Sequence, residues 1–161
     1  MADVARHWLF KSEPDAYGLD HLERDRRTSW EGVRNFQARD FLRAMRLGDL
    51  GFFYHSSTEV PAAVGIVEVV RTAFPDPTAR DPKSDYYDAR ASDEKPYWST
   101  VEVAFVRRLP RAVTLAEIRA TPSLAQMLLV RRSRLSVSPV GEGEWETILR
   151  MSGIDHPERV R

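Results

Sequence analysis

The run Gly51-Phe-Phe-Tyr-His-Ser-Ser-Thr-Glu-Val-Pro-Ala-Ala-Val-Gly-Ile-Val-Glu-Val-Val-Arg-Thr72 sets the architecture of this chain. Aromatic and β-branched residues crowd its two ends, and Pro61 breaks the polar middle. Gly51–Ser56 and Ala62–Thr72 therefore read as consecutive strands joined by a turn. A third long strand is expected over Trp98–Leu109. There Val101, Val103 and Phe105 alternate with Glu102, Ala104 and Val106, and Pro110 stops the run. His7–Lys11 reads as a first strand halted by Ser12-Glu13-Pro14, and Arg134–Ser138 as a late one.

The helices between these strands are short. Gly18–Asp25 puts Leu19 and Leu22 on one side. Phe36–Met45 has Asn35 as its cap, Phe41 and Leu42 on the buried side and Gly48 past its end. Thr114 and Glu117 have capping-box spacing, and Thr121-Pro122 resembles a cap followed by a first-turn proline. Gly143–Met151 forms a last helix with Trp145, Ile148 and Leu149 on one face. Thr28–Asn35 follows neither period. Long strands with short helices and no βαβ alternation exclude a doubly wound sheet and point to an α+β class, a small curved or barrel-like mixed sheet decorated by helices. Phe74–Pro96 is long for a structureless connection. It reads as a functional flap or a disordered excursion, exposed and flexible, with Tyr86 and Tyr87 as its obvious anchors.

Length and composition fit one globular domain spanning 1–161. The chain has 161 residues, 42% hydrophobic and 30% charged, with 24 basic and 24 acidic side chains that cancel. That balance removes any global attraction for a polyanion without excluding recognition of a short segment. Only Lys11, Lys83 and Lys95 are lysines. The arginine excess suits bidentate contacts with phosphate or base edges, and a codon bias would produce it equally well. Cysteine is absent, which excludes disulfide scaffolds, zinc ribbons, iron–sulfur centres and thiol nucleophiles. Met1–Arg6 lacks the basic and apolar character of a signal peptide, and Leu50–Ile66 is too interrupted to span a membrane. The expectation is a cytoplasmic protein.

The chemistry favours binding over catalysis. His7, His21, His55 and His156 are scattered without metal-ligand spacing, so no metal site is expected. His55 beside Ser56 and Ser57 lacks a third relay partner, and neighbouring strand residues point to opposite faces. Glu142 and Glu144 sit at a helix start, where acids favour the dipole. The binding reading uses Trp8, Trp30, Trp98, Phe53, Tyr54 and Tyr97, interleaved with Ser12, Arg34, Asn35, His55, Ser56, Arg134 and Ser136. This mixture of stacking faces and directed donors suits a flat heterocycle. Trp8 and Phe53 also fit a core, whereas Trp30 lies in an aperiodic polar stretch. Asn35 fits two roles, reading a base edge or capping a helix. Arg107–Arg134 carries seven arginines against Glu117 alone, a net of six positive charges. They either track a nucleic-acid backbone or form ordinary solvated faces.

Five blocks occur in one order: Trp8-Leu-Phe-Lys-Ser-Glu-Pro14, Trp30-Glu-Gly-Val-Arg-Asn35 with Gln37-Ala-Arg39, Gly48-Asp49, Phe53-Tyr-His-Ser56, and Ser133-Arg-Leu-Ser-Val-Ser-Pro-Val140. Together they resemble the EVE-domain family, which includes many small bacterial proteins, over about His7–Ser152. The resemblance implies a PUA-like β pseudobarrel and no cofactor. It also implies a pocket for a modified nucleobase, such as 5-methylcytosine or 5-hydroxymethylcytosine in DNA, or a modified base in RNA. The pocket wall it implies comprises Ser12, Trp30, Val33, Asn35, Tyr54, His55, Ser56, Arg134, Leu135 and Ser136. Trp98 joins them, from Tyr97-Trp98 where relatives often have Arg-Trp. Arg132 departs from the glutamine common at that position and adds charge beside the pocket. Bacterial members are associated with defence against modified phage DNA, usually as nuclease fusions. The effector here would thus be a separate protein. The alternative function is an enzyme acting on a small nucleotide or modified base.

Overall fold

A computed structural model describes residues 6–161. In chain order the elements are β1 (His7–Ser12), α1 (Pro14–Tyr17), α2 (Leu19–Asp25), β2 (Arg27–Ser29), α3 (Phe36–Ala44), β3 (Leu50–His55), β4 (Ala62–Pro75), β5 (Ser99–Thr114), α4 (Leu115–Arg119), α5 (Leu128–Arg131), β6 (Val137–Val140) and α6 (Glu142–Met151). The strands form one mixed sheet in the order β2-β5-β4-β3-β1-β6. β1 runs parallel to β3, with His7 opposite Leu50 and Ser12 opposite His55, and every other neighbouring pair is antiparallel.

The sheet is buried on both faces, which explains why Phe52-Phe53-Tyr54 is continuously apolar rather than alternating. Leu9, Phe52, Tyr54 and Ile66 pack with Trp145, Ile148 and Leu149 of α6 on one face. Trp8, Phe10, Phe53, Val67 and Val103 pack on the other against Leu19 and Leu22 of α2 and Ala38 and Leu42 of α3. α2 presses so close that a Cβ on Gly65 would lie 2.7 Å from the Leu19 side chain. Local signals work where expected. Asn35 Oδ1 accepts from the Ala38 N–H at 3.0 Å, and Thr114 with Glu117 forms a complete capping box.

Four expectations need correction. β5 does not stop at Pro110 but continues to Thr114. The register jumps from Gly65 opposite Arg108 to Ala63 opposite Val113, so the proline sits in a bulge where no ladder donor is required. The late strand begins at Val137, because Ser133–Arg134 form a turn; only the Ser136 carbonyl, accepting from the Lys11 N–H at 2.8 Å, extends the pairing. β2, three residues pairing with Glu102–Ala104, is too short to show a period. Phe74–Pro96 is not structureless. It is largely exposed, Tyr86 and Tyr87 included, yet it is a succession of hydrogen-bonded turns tied by the buried Asp76.

Candidate functional site

Among the described residues the hydrogen-bonded ladder leaves β2 and β6 as edges. β2 and the segment leading into β6 nevertheless line one cavity of about 680 Å³. Thr28, Ser29 and the following Trp30–Val33 form one wall, and Ser133–Ser136, leading into β6, the opposite one. The sheet must curl for this to happen. The cavity is the open seam of the resulting pseudobarrel. Its floor comes from the C-terminal ends of the parallel strands, Lys11 and Ser12 of β1 with Ser56 and Ser57 after β3. The Ser12 carbonyl accepts from the Ser56 N–H at 3.0 Å and ties those ends together.

The polar lining is held by short local bonds. Ser12 Oγ donates to the Tyr17 carbonyl at 2.6 Å, and Lys11 Nζ donates to the Ser133 carbonyl at 2.7 Å. Burial lowers the Lys11 pKa. Burial, aided by a hydrogen bond to Asp25, raises that of Tyr17. Partial desolvation and the nearby Asp76 charge push the Glu31 carboxyl up.

Trp30 is both wall and core. It is 8% exposed, and its ring meets Phe10 edge-on at 5.1 Å and Phe53 at 5.6 Å. The polar character of its neighbours concealed that role. Trp8 and Trp98 donate their indole N–H groups to Asp49 and Asp88. The Trp30 indole N–H has no acceptor among the described residues, and no buried side-chain donor there lacks a partner, so it is open to solvent.

The cavity brings together Ser12, Trp30, Val33, Ser56, Arg134, Leu135 and Ser136. Four other expected wall residues lie elsewhere, each for a physical reason. Asn35 is exposed and its amide oxygen is committed to the α3 cap. Tyr54 faces the α6 side, because strand neighbours alternate, and burial pushes its phenol up to about 12. His55 accepts the Leu19 N–H through Nε2 at 3.1 Å, and burial lowers its pKa. Trp98 lies under the 76–96 segment, stacked on Phe36 at 4.8 Å.

Lys11, Glu13, Tyr17, Glu31, Gly32, Tyr86 and Ser133 line the cavity and were missed. A lysine inside an apolar strand was a usable signal for Lys11, and adjacency to Ser12 and Arg134 for Glu13 and Ser133. Nothing local pointed to Tyr86. Its place depends on a clamp between distant segments. Asp76 Oδ2 accepts from the Gly32 N–H at 2.8 Å and Arg34 Nη1 at 3.0 Å, while Oδ1 accepts from Thr78 N at 2.8 Å and Oγ1 at 2.6 Å. Arg34 then donates twice to the Tyr86 carbonyl, at 3.0 and 2.7 Å. Gly32 has φ +85°, and any Cβ there would meet the Tyr86 ring at 2.7 Å. Burial pushes the Asp76 carboxyl up, but the bonds from Thr78, Gly32 and Arg34 outweigh it and hold the pKa below its ordinary value.

The EVE domain model matches residues 6–151. This chain belongs to the EVE-domain family. Thymocyte nuclear protein 1 of Gallus gallus is 41% identical over 164 residues, covering 90% of this chain and 68% of the relative. A solved protein from Pseudomonas putida superposes with TM-score 0.87 at 47% identity, covering 91% of this chain and 99% of that one. The human THYN1 protein in complex with 5-methylcytosine-containing DNA superposes with TM-score 0.85 at 37% identity, covering 91% and 96%. The mixed sheet with few helices is thus the PUA-like α+β fold of EVE domains. Among the described residues no helix is long and apolar enough to cross a membrane.

Proposed function

We propose that this EVE domain reads modified cytosine in DNA by admitting one extruded base into the seam cavity. One observation carries the proposal. β2, the residues after it and the segment leading into β6 border a nucleobase-compatible cavity in a chain 37% identical to a human relative solved with 5-methylcytosine-containing DNA. The volume lies within the range of small-molecule pockets. Its lining suits the base in three ways. Val33 and Leu135 offer apolar contact to a 5-substituent. Glu13 and Glu31 offer acceptors for an exocyclic amine. Ser56, Ser136 and the Trp30 indole N–H offer donors to ring carbonyl and nitrogen acceptors, and Ser12 Oγ keeps its lone pairs as an acceptor.

The test is a binding panel of DNA oligonucleotides identical except for cytosine, 5-methylcytosine or 5-hydroxymethylcytosine at one position, with RNA counterparts. Tighter binding of a modified DNA is the expected result, with the oligonucleotide recovered unchanged in mass. Equal affinity for all DNA members would overturn the reader assignment. A mass change in the oligonucleotide would replace it with the enzyme alternative.

A further inference from the structure

Of the seven arginines in Arg107–Arg134, only Arg108 and Arg111 are ion-paired among the described residues, and three of the other five cluster beside the cavity. Arg108 pairs with Asp20 and Glu23, and Arg111 with Glu117 at 2.9 Å, so these sit on balanced surface. Arg131, Arg132 and Arg134 are exposed and make no ion pair among the described residues. Arg131 reaches only Gln126 Oε1, at 3.2 Å. All three lie within four consecutive residues, and Ser133 and Arg134 line the cavity.

The platform beneath them is fixed. Lys11 Nζ holds the Ser133 carbonyl at 2.7 Å, the Leu135 N–H donates to the Arg132 carbonyl at 3.1 Å, and Leu135 is 4% exposed. Flexible surface arginines lose rotamer freedom on binding, but here the backbone carrying them is already placed. The opposite wall carries an exposed carboxylate, Glu31. The cavity mouth is therefore polarised although the whole chain is neutral.

We propose that Arg131, Arg132 and Arg134 form the contact for the DNA backbone, gripping the phosphates that flank the base held in the cavity. This rests on the reading of the cavity as a base pocket. An extruded base stays joined to its strand, so its phosphates must cross the rim, and the Glu31 side repels them. Planar guanidinium groups match phosphate oxygens bidentately, which lysines do not. Phosphate contacts fix position and carry no sequence information. The turn therefore sets affinity and salt dependence, and the cavity sets base preference.

The experiment measures dissociation constants by fluorescence anisotropy between about 50 and 200 mM salt. The triple variant R131Q/R132Q/R134Q is compared with the parent and with R119Q/R150Q/R159Q, which removes equal charge outside the cavity. Both use oligonucleotides with cytosine or 5-methylcytosine. For duplex DNA the slope of log affinity against log salt should shrink by about 0.9 for every phosphate that the protein no longer neutralises. The rim variant should leave about two to three phosphates without an arginine, and the control fewer than one. Affinity for both oligonucleotides should fall together, leaving their ratio as in the parent. An unchanged slope in the rim variant, or an equal reduction in the control, would overturn the proposal. A parent without any 5-methylcytosine preference but with the slope change intact would refute the base pocket and leave the arginine contact standing. Melting curves confirm that each variant is folded.

Discussion

Asp76→Ala should be the most damaging single substitution of a charged residue in this protein. The carboxylate is fully buried and takes hydrogen bonds from Gly32 N, Arg34 Nη1, Thr78 N and Thr78 Oγ1. Each bond to a charged group is worth about 1.5–3 kcal/mol, but four such values do not add, since the groups share one anchor. Breaking a buried ion pair from one side costs about 3–5 kcal/mol. Arg34 is 22% exposed and keeps the Tyr86 carbonyl as acceptor, so water and that carbonyl soften the loss. The expected destabilisation is about 3 kcal/mol, near the lower bound for a broken buried pair. It should lower Tm by roughly 6–12 °C for a chain of this size. Urea unfolding of the parent, Asp76→Ala, Arg34→Ala and the double variant gives both the loss and the coupling. The clamp also has an acid limit. Because the folded pKa is depressed, its contribution is complete above the ordinary carboxylate value and disappears as pH falls through the lowered one. Since Gly32 and Tyr86 are cavity wall, Asp76→Ala should also weaken binding of modified DNA well below its Tm. A destabilisation below about 1 kcal/mol, or a coupling energy near zero, would refute the clamp, because close charged partners normally couple by more.

Trp30→Ala should cost about 3–5 kcal/mol as a core truncation, whereas Trp30→Phe should keep most of that stability and still weaken DNA binding by removing the indole N–H. Calorimetry and anisotropy on both variants separate packing from recognition. Asn35→Ala should lose about 1 kcal/mol, the value of an N-cap, with base preference unchanged; Asn35→Asp should melt like the parent. His55 and His7 both have pKa values lowered by burial, so the unfolded chain takes up protons first as pH falls. Stability should therefore decline from the unfolded value of 6.5 downward, and His55→Gln should flatten that slope in melting curves taken between about pH 8 and 5. An unchanged slope would mean that the bond from the Leu19 N–H does not depend on a neutral imidazole.

What the sequence revealed was local. The Asn35 cap, the Thr114–Glu117 box and the α6 face of Trp145, Ile148 and Leu149 each depend on residues a few positions apart, and each formed. β3 and β4 were visible because both carry dense β-branched and aromatic runs. The failures were non-local. Pro110 stops a strand only if its position needs a donor, and the bulge opposite Val64 removes that need. Trp30 did not read as core because its stretch is polar and aperiodic, yet Phe10 and Phe53 from two strands pack against its ring. Tyr54 and His55 were expected in the cavity with Ser56 because all three belong to the Phe53–Ser56 block that resembles the family. Strand alternation and the Leu19 N–H assign them elsewhere.

The same distinction explains where the site lies. A sheet edge presents unpaired backbone groups and normally has to be covered. Had β2 and β6 paired, Trp30–Val33 and Ser133–Ser136 would have joined the ladder and the interior would have filled with side chains, as in small closed barrels. Instead β2 ends after three residues and β6 begins only at Val137. The flanking segments on each side turn away from pairing. Each is then fixed by a polar side chain: Gly32 and Arg34 by Asp76 on a segment more than forty residues away, and Ser133 by the ammonium of Lys11 on β1. The two walls of the cavity are thus held by separate polar anchors rather than by each other. Loosening one should leave the other in place. Asp76→Ala should disturb the Trp30 side and base preference, while the arginine turn keeps its grip on phosphate and its salt dependence.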